Sequence, residues 1–357
     1  MFINILVFLL GSVVVLAALT SAVLTLVLPR GTRDFLTHIV YKLNGLLFLL
    51  PTRIARSYAQ RDRVMALYAP LTLLLLPVSW LTLVLIGYML MYRSVAERAW
   101  SEAFLLSGSS LFTLGFAQAN TTFELILVFT EAAIGLGMVA LLIAYLPSMY
   151  SAFSSREKAV NLLEVRAGSP PSAVEWLSRA HRNQWLENLG EEFGVWESWF
   201  AELEESHTSL SALVFFRSPQ PGRSWITASG AVLDSAALML AAVDVKCDDR
   251  KAKLCLRAGY LALRRIADLF GIWYNAEPRF PDELISVSRQ EFFEACSKLA
   301  IRGVPLKDDL EQGWLDFAGW RVNYDRTLVA LAALTRVPYA PWSSDRSVSG
   351  MHDAFPG

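Results

Sequence analysis

Residues 107–120 read SGSSLFTLGFAQAN, a polar stretch with two glycines between two long apolar segments. The flanking segments, residues 64–92 and 123–150, are long enough to cross a hydrocarbon core of roughly 30 Å as helices that rise about 1.5 Å per residue. A polar interruption in this position predicts backbone that enters the membrane without crossing it.

The residues just before the interruption indicate how it enters. Residues 100–112 are predicted to form a short helix with Ser101 as its N-cap, and about a dozen residues are too few to span a bilayer. Residues 113–117 would then be non-helical backbone at membrane depth, which is tolerated only where protein encloses it or it lines a water-filled path. The carbonyl end of the short helix would favour a cation at that point.

Composition also favours a membrane protein. Of the 357 residues, 54% are hydrophobic and 18% charged, and the mean hydropathy is +0.39. The net charge of −1 lacks the basic excess of a nucleic-acid-binding protein. The cysteines, Cys247, Cys255 and Cys296, form no CxxC pair, so we expect a reducing compartment and no disulfide framework.

The remaining apolar segments give the orientation. Residues 2–28 contain no charged residue and predict a retained spanning helix, because the run is too long and lacks the basic start of a cleaved signal peptide. Residues 35–50 are shorter, and arginines flank them on both sides (Arg30 and Arg33 before, Arg53 and Arg56 after), which favours a helix on the membrane surface over a fourth span. Arg61 and Arg63 extend the second arginine group before the next span. By the positive-inside tendency this group is cytoplasmic, so residues 107–120 face outward and the third span returns the chain to the cytoplasm.

Residues 64–150 resemble the pore of prokaryotic two-transmembrane potassium channels and of the wider pore-loop cation channel superfamily. In that family, backbone carbonyls and a threonine hydroxyl of a short filter coordinate dehydrated ions. The resemblance implies that Phe116 packs outward against aromatic rings of the pore helix. It also implies a homotetramer, because each chain has one such loop and the family's pore has four. The resemblance assigns the filter to Thr113, Leu114, Gly115, Phe116 and Ala117.

Two residues depart from the family's pattern. Ala117 stands where the filter has its second glycine, and a residue with a Cβ resists the positive φ that glycine adopts. Gln118 stands where an aspartate is usual, which removes a charge from the outer mouth. Selective K⁺ conduction and non-selective conduction that includes Na⁺ therefore both stay open.

The third span carries glycines and carboxylates. Gly135 and Gly137 lie near its middle and are interpreted as a gating hinge, with close helix packing as the alternative. Glu124 and Glu131 lie seven residues apart on one helical face. Because a carboxylate in a membrane is costly, we expect Glu131 to attract cations beside a water-filled cavity, or else to serve as a hydrogen-bonded structural group. Glu124 is assigned to the same electrostatics of the pore and its cavity.

Beyond residue 155 the pattern changes to amphipathic helices. Residues 189–203 carry one apolar stripe against an acidic face. Residues 225–243 are almost continuously apolar around Asp234, and we predict a buried core helix, in which this carboxylate needs a partner, over a further span. His181, His207 and His352 are scattered, and no dinucleotide or phosphate-binding motif appears.

The sequence thus predicts an all-α membrane protein in three parts. These are an N-terminal span with a surface helix over 1–63, a pore domain with a re-entrant helix and filter over 64–150, and a cytoplasmic helical domain over 151–357. We expect a multi-pass protein of the inner (plasma) membrane and a homotetrameric cation channel, with permeant K⁺ and no other cofactor, rather than an enzyme. A membrane-anchored signalling or scaffold protein is the main alternative, and a secondary transporter is disfavoured because no inverted repeat is present.

Overall fold

The computed structural model describes residues 2–27, 35–54, 58–246 and 248–347. Arg30, Arg33, Arg56, Cys247 and His352, which entered the sequence analysis, lie outside these ranges. In the described ranges the regular elements are helices joined by loops, and extended backbone pairs only at one isolated bridge between Val243 and Leu306.

The chain divides into two compact units. The first comprises Met1–Ala55 and Leu67–Ser151, and the second comprises Arg56–Ala66 and Ala152–Gly357. The first unit contains α1 (Phe2–Leu26), α2 (Phe35–Ile54), α4 (Tyr68–Ala96), α5 (Trp100–Leu111) and the front of α6 (Thr122–Ala167).

Among the described residues, four helical segments are long and apolar enough to cross a membrane: α1, the segment that contains α4, α6 and a helix at Trp225–Ala242. Only 5 of the 25 residues of α1 are buried, so its apolar surface faces outward, as a lipid-facing helix requires. In contrast, 17 of the 18 residues of Trp225–Ala242 are buried inside the second unit. The apolar helices are consistent with a membrane protein, and the fourth segment is a core helix of the second unit, as predicted.

A close helix crossing holds α1 against α4. Asn4 hydrogen-bonds Glu97 (3.3 Å) and Trp80 Nε1 donates to Ser21 Oγ (2.9 Å), so the two helices run antiparallel. A Cβ placed on Gly87 would lie 2.8 Å from the carbonyl oxygen of Gly11. The two backbones can meet this closely because both positions are glycine, which is the packing typical of membrane helices.

Helix α2 contacts one end of this pair. Asn44 Nδ2 donates to the carbonyl of Tyr68 (3.1 Å), in the first turn of α4, and the hydroxyls of Thr37 and Thr25 lie 3.0 Å apart at the end of α1. Among the described helices, α2 is not one of those apolar enough to span. Its placement on the membrane surface stays a prediction.

The second unit is a helical domain. Its helices are α3 (Tyr58–Ala66), α7 (Ala173–Arg182), α8 (Leu189–Ser209), α9 (Trp225–Ala242), α10 (Asp249–Leu269), α11 (Arg289–Ile301), α12 (Leu310–Arg321) and α13 (Asp325–Thr335), together with the end of α6. The predicted stripe of α8 is buried, from Leu189 through Phe193 to Leu203. Within α9, Asp234 receives the expected partners, a buried ion pair from Arg321 and a 2.9 Å hydrogen bond from the Tyr324 hydroxyl.

Two helix ends differ from the sequence-based expectation. The N-cap of α5 is Ala99, without a side-chain hydrogen bond, so the assignment of Ser101 was wrong. Helix α6 continues from Tyr150 to Ala167 without a break. It ends where Gly168 adopts a φ of +81°, the left-handed conformation that commonly terminates helices.

Candidate functional site

Helix α5 packs between α4 and α6. At its start the Arg93 guanidinium lies 4.8 Å from the Trp100 ring. Further along, the Ser107 hydroxyl oxygen lies 3.1 Å from the carbonyl oxygen of Leu85 on α4, and at the end of α5 Leu111 lies against Gly135 of α6. Gly135 is about 20 Å along α6 from the first residue of that helix, at 1.5 Å per residue. The C-terminal end of α5 therefore lies deep beside α6.

The chain then returns to the start of α6. Arg98, just before α5, donates from Nη2 to the carbonyl of Gln118 (3.2 Å) and forms an ion pair with Glu124. Glu124 Oε2 accepts the amide of Thr121 (3.2 Å), and Thr121 Oγ1 accepts the amide of Glu124 (3.2 Å). This reciprocal pair is a capping box, and it fixes both the end of the loop and the start of α6.

The turn that follows the last residue of α5 is a Schellman motif. The amide of Thr113 donates to the carbonyl of Ser110 (3.0 Å) and the amide of Leu114 to the carbonyl of Ser109 (2.8 Å). This geometry places Thr113 in the left-handed region, with a φ of 52°. Glycine is the usual residue there, and a side chain costs on the order of 1–2 kcal/mol.

Ser109 organises the next residues. Its hydroxyl oxygen accepts the amides of Phe116 (3.0 Å) and Ala117 (3.1 Å), and its carbonyl lies 3.5 Å from the amide nitrogen of Gly115. Gly115 has a φ of 72°, with no atom within 4 Å of the place of a Cβ. The amides of residues 114–117 thus all turn toward one serine.

This arrangement fixes the direction of four carbonyls. In a trans peptide the C=O points opposite to the N–H of the same planar unit. The carbonyls of Thr113, Leu114, Gly115 and Phe116 therefore point away from α5, and none of them accepts a hydrogen bond from a described residue. We call residues 113–116 the carbonyl ribbon.

The ribbon lies on the outside of the first unit. Leu114 and Phe116 are 63% and 62% exposed. The expected packing of Phe116 against the rings of α5 is not present within the chain. Ala117 is half-buried against the apolar core of this unit.

Glu131, on α6, is fully buried against α5. Its Oε1 accepts the Ser107 hydroxyl (2.5 Å) and its Oε2 accepts the Tyr92 hydroxyl (2.9 Å). Both oxygens are thereby engaged, and the carboxyl group links α4, α5 and α6 at one point. Glu124 is likewise fully buried and paired with Arg98. Sequence reasoning had assigned electrostatic roles to both carboxylates and had not identified these partners.

The two glycines of α6 differ in their surroundings. A Cβ on Gly135 would lie 2.1 Å from the carbonyl oxygen of Leu111, whereas no atom lies within 4 Å of a Cβ on Gly137. Gly135 therefore serves close packing of α5 on α6, the alternative weighed from the sequence. Gly137 faces open space.

Sequence reasoning missed three residues of this site. Ser109 was read as part of a polar stretch, although a hydroxyl in the last turn of a helix is well placed to accept amides that follow it. The capping box had a readable signal, the spacing Thr121-x-x-Glu124. The role of Arg98 had no local signal, because its partner lies across the loop.

Among the described residues, no group of three or more His, Cys, Asp or Glu side chains is placed to hold a metal ion. No protein-family model, curated protein or solved structure matches this chain.

Proposed function

We propose that this protein is a homotetrameric cation channel that conducts K⁺, with the second unit on the cytoplasmic side of the membrane. The observation that most supports this proposal is the carbonyl ribbon, in which four successive peptide oxygens point away from the helix that supports them. Backbone carbonyls that replace the hydration shell are the means by which potassium channels pass dehydrated ions.

The depth of the ribbon supports the tetramer. Non-helical backbone in the hydrocarbon region requires enclosure by protein or a water-filled path, because each unsatisfied polar group there costs several kcal/mol. In a single chain, the residues from Thr113 to Phe116 are exposed. Several copies around an axis would turn the four carbonyls toward shared water and ions and would bury the apolar side chains of Leu114 and Phe116 between neighbours.

In this proposal cation attraction comes from the ribbon rather than from the carboxylates. Both Glu131 oxygens accept hydroxyl hydrogen bonds, and Glu124 is paired with Arg98. We assign Glu131 the role of positioning α5, and Glu124 that of closing the loop. Because Ala117 replaces a glycine at the outer end, non-selective monovalent conduction is the alternative that ion flux must distinguish.

The test is ion flux from liposomes that contain the purified full-length chain, with K⁺, Na⁺ and a larger organic cation compared. The informative variant is Ser109→Ala, which removes the hydroxyl that accepts the amides of Phe116 and Ala117. The matched control is Ser79→Ala on α4, whose hydroxyl bonds only the carbonyl of Leu75 in its own helix (2.8 Å).

We expect K⁺ flux from the wild type and the Ser79→Ala variant, and at least about a tenfold loss of flux or of K⁺ preference in the Ser109→Ala variant, since one hydrogen bond lost in a buried site is worth about 1–3 kcal/mol. Equal flux of K⁺ and Na⁺ in the wild type would favour the non-selective channel. No flux from any version, with a monomeric or dimeric protein, would contradict the proposal and favour a membrane-anchored scaffold.

A further inference from the structure

The second unit contains an open cavity of about 580 Å³ between α7, α9, α11 and residues 341–345. Charged side chains of both signs line it. The acidic and basic side chains lie at different places in the cavity, which favours a ligand whose own charges are separated in the same way.

At the floor lies Asp234, whose side chain is 2% exposed. Its Oδ1 accepts hydrogen bonds from Arg321 and from the Tyr324 hydroxyl, and none of the described residues donates to its Oδ2. Arg321 also pairs with Asp325 (2.7 Å). Two carboxylates therefore share one guanidinium, so the formal charge of the three side chains together is −1.

Helix α11 supplies one wall. Glu294 and Lys298 on α11, and Arg302 directly after its last residue, line the cavity at steps of four residues, so an acidic position is followed by two basic ones. At the basic end, Glu175 pairs with both Arg302 (2.7 Å) and Arg179 (2.6 Å). One carboxylate neutralises only one of these two guanidinium groups. Lys298 is exposed and forms no ion pair with a described residue, so this end is positive.

We propose that this cavity binds a small zwitterion with a primary ammonium at one end and a carboxylate at the other. The ammonium has three N–H donors, one of which would reach the free oxygen of Asp234. The carboxylate would lie between Lys298 and Arg302, since a guanidinium holds a carboxylate through paired hydrogen bonds. Glu294 and Arg302 are eight residues apart, about 12 Å at 1.5 Å per residue, and this extent of the wall sets the range of ligand lengths to compare. This proposal does not depend on ion conduction.

The test uses the full-length protein in detergent and a series of ω-amino carboxylates from glycine to 8-aminooctanoate. Hexylamine and hexanoate serve as compounds that carry only one of the two charges. Binding is followed by calorimetry and by tryptophan fluorescence, because Trp342 lines the cavity. We expect affinity to peak at an intermediate length and to exceed that of either single-charge compound by at least about tenfold, the factor expected for 1.4 kcal/mol of added interaction.

Two variants separate the ends of the cavity. Lys298→Glu should weaken binding of the zwitterion and of hexanoate by about tenfold and should not weaken binding of hexylamine, since only the carboxylate end is lost. Lys253→Glu on α10, an exposed lysine outside the cavity, is the matched control. Asp234→Asn tests the ammonium end and should weaken binding of hexylamine.

Asp234 is buried and paired with Arg321, so its substitution also affects folding. The same contact is therefore tested a second time by changing the ligand instead of the protein. Trimethylation of the amine of 6-aminohexanoate removes its N–H donors and should weaken binding to the wild type. The proposal is overturned if no ω-amino carboxylate binds more tightly than hexylamine and hexanoate, if Lys298→Glu behaves like Lys253→Glu, or if the trimethylated compound binds as well as its parent.

Discussion

Glu131 links three helices through two hydroxyl donors, and this gives the first prediction. In Glu131→Gln the amide nitrogen cannot accept a hydrogen bond, so either Tyr92 or Ser107 loses its hydrogen bond to residue 131. We expect the stability of the first unit to fall by about 0.5–1.5 kcal/mol, the net contribution of one hydrogen bond, because Ser107 can turn to the carbonyl of Leu85 instead. Thermal unfolding in detergent measures it.

Tyr92→Phe provides the cross-check, because it removes the same hydrogen bond from the other side. If the bond exists, the double variant with Glu131→Gln loses less stability than the sum of the two single variants. Strictly additive losses would contradict the assignment. Tyr88→Phe, which removes a 2.9 Å bond to Thr130, is the control for loss of a neighbouring tyrosine hydroxyl.

His207 gives a pH-dependent prediction in the second unit. Its ring is fully buried, with Nε2 3.2 Å from Arg156 Nη1 and Nδ1 3.1 Å from the Ser206 hydroxyl oxygen. Burial, and secondly the Arg156 charge, hold the pKa of His207 well below its usual value of 6.5. The unfolded chain therefore binds a proton more readily than the folded one, so the contribution of His207 to stability is complete above about pH 6.5 and falls as the pH drops below it.

Apparent melting temperature measured from pH 7.5 to pH 5 tests this. The wild type should lose stability below about pH 6.5, and His207→Asn should lose that component of the pH dependence. His181→Asn on α7 is the matched control and should follow the wild type. An unchanged pH profile in His207→Asn would show that another group titrates.

At the scale of elements, the contact of α5 with α6 predicts opposite effects for two neighbouring glycines. In Gly135→Ala the new methyl group meets the Leu111 carbonyl oxygen at 2.1 Å, so α5 must shift, at a cost of about 1–3 kcal/mol. Gly137→Ala meets no atom and should stabilise α6 by up to about 1 kcal/mol, because glycine is a poor helix former. Thermal unfolding of the two variants measures both. Equal effects would contradict the close packing described at Gly135.

The elements also show what sequence can predict. Hydropathy located α1, α4 and α6, and period-3.6 spacing located the buried stripe of α8, because both signals are local. The burial of α9 was predictable because Asp234 and the topology disfavoured a span. The end of α6 at Gly168 was missed because the helix was ended at Tyr150, where the apolar run stops, although amphipathic residues continue it to Ala167. Ser109 was missed because its role depends on where the chain turns after α5.

For the whole molecule, the central issue is the surroundings of the carbonyl ribbon. The resemblance to pore-loop channels predicted a filter at residues 113–117 and a tetramer, and both remain predictions. The single chain provides a physical reason to expect partners, since it leaves non-helical backbone and the side chains of Leu114 and Phe116 exposed beside a helix that is apolar enough to span a membrane. Neither hydropathy nor spacing could provide that reason, because it depends on the direction of peptide groups.

The most direct test is electron cryomicroscopy of the full-length protein in lipid nanodiscs with K⁺ present. We predict four copies around one axis, with the carbonyls of residues 113–116 facing that axis and density for ions between them. A monomer, or an assembly in which the ribbon faces lipid away from every other copy, would contradict the account.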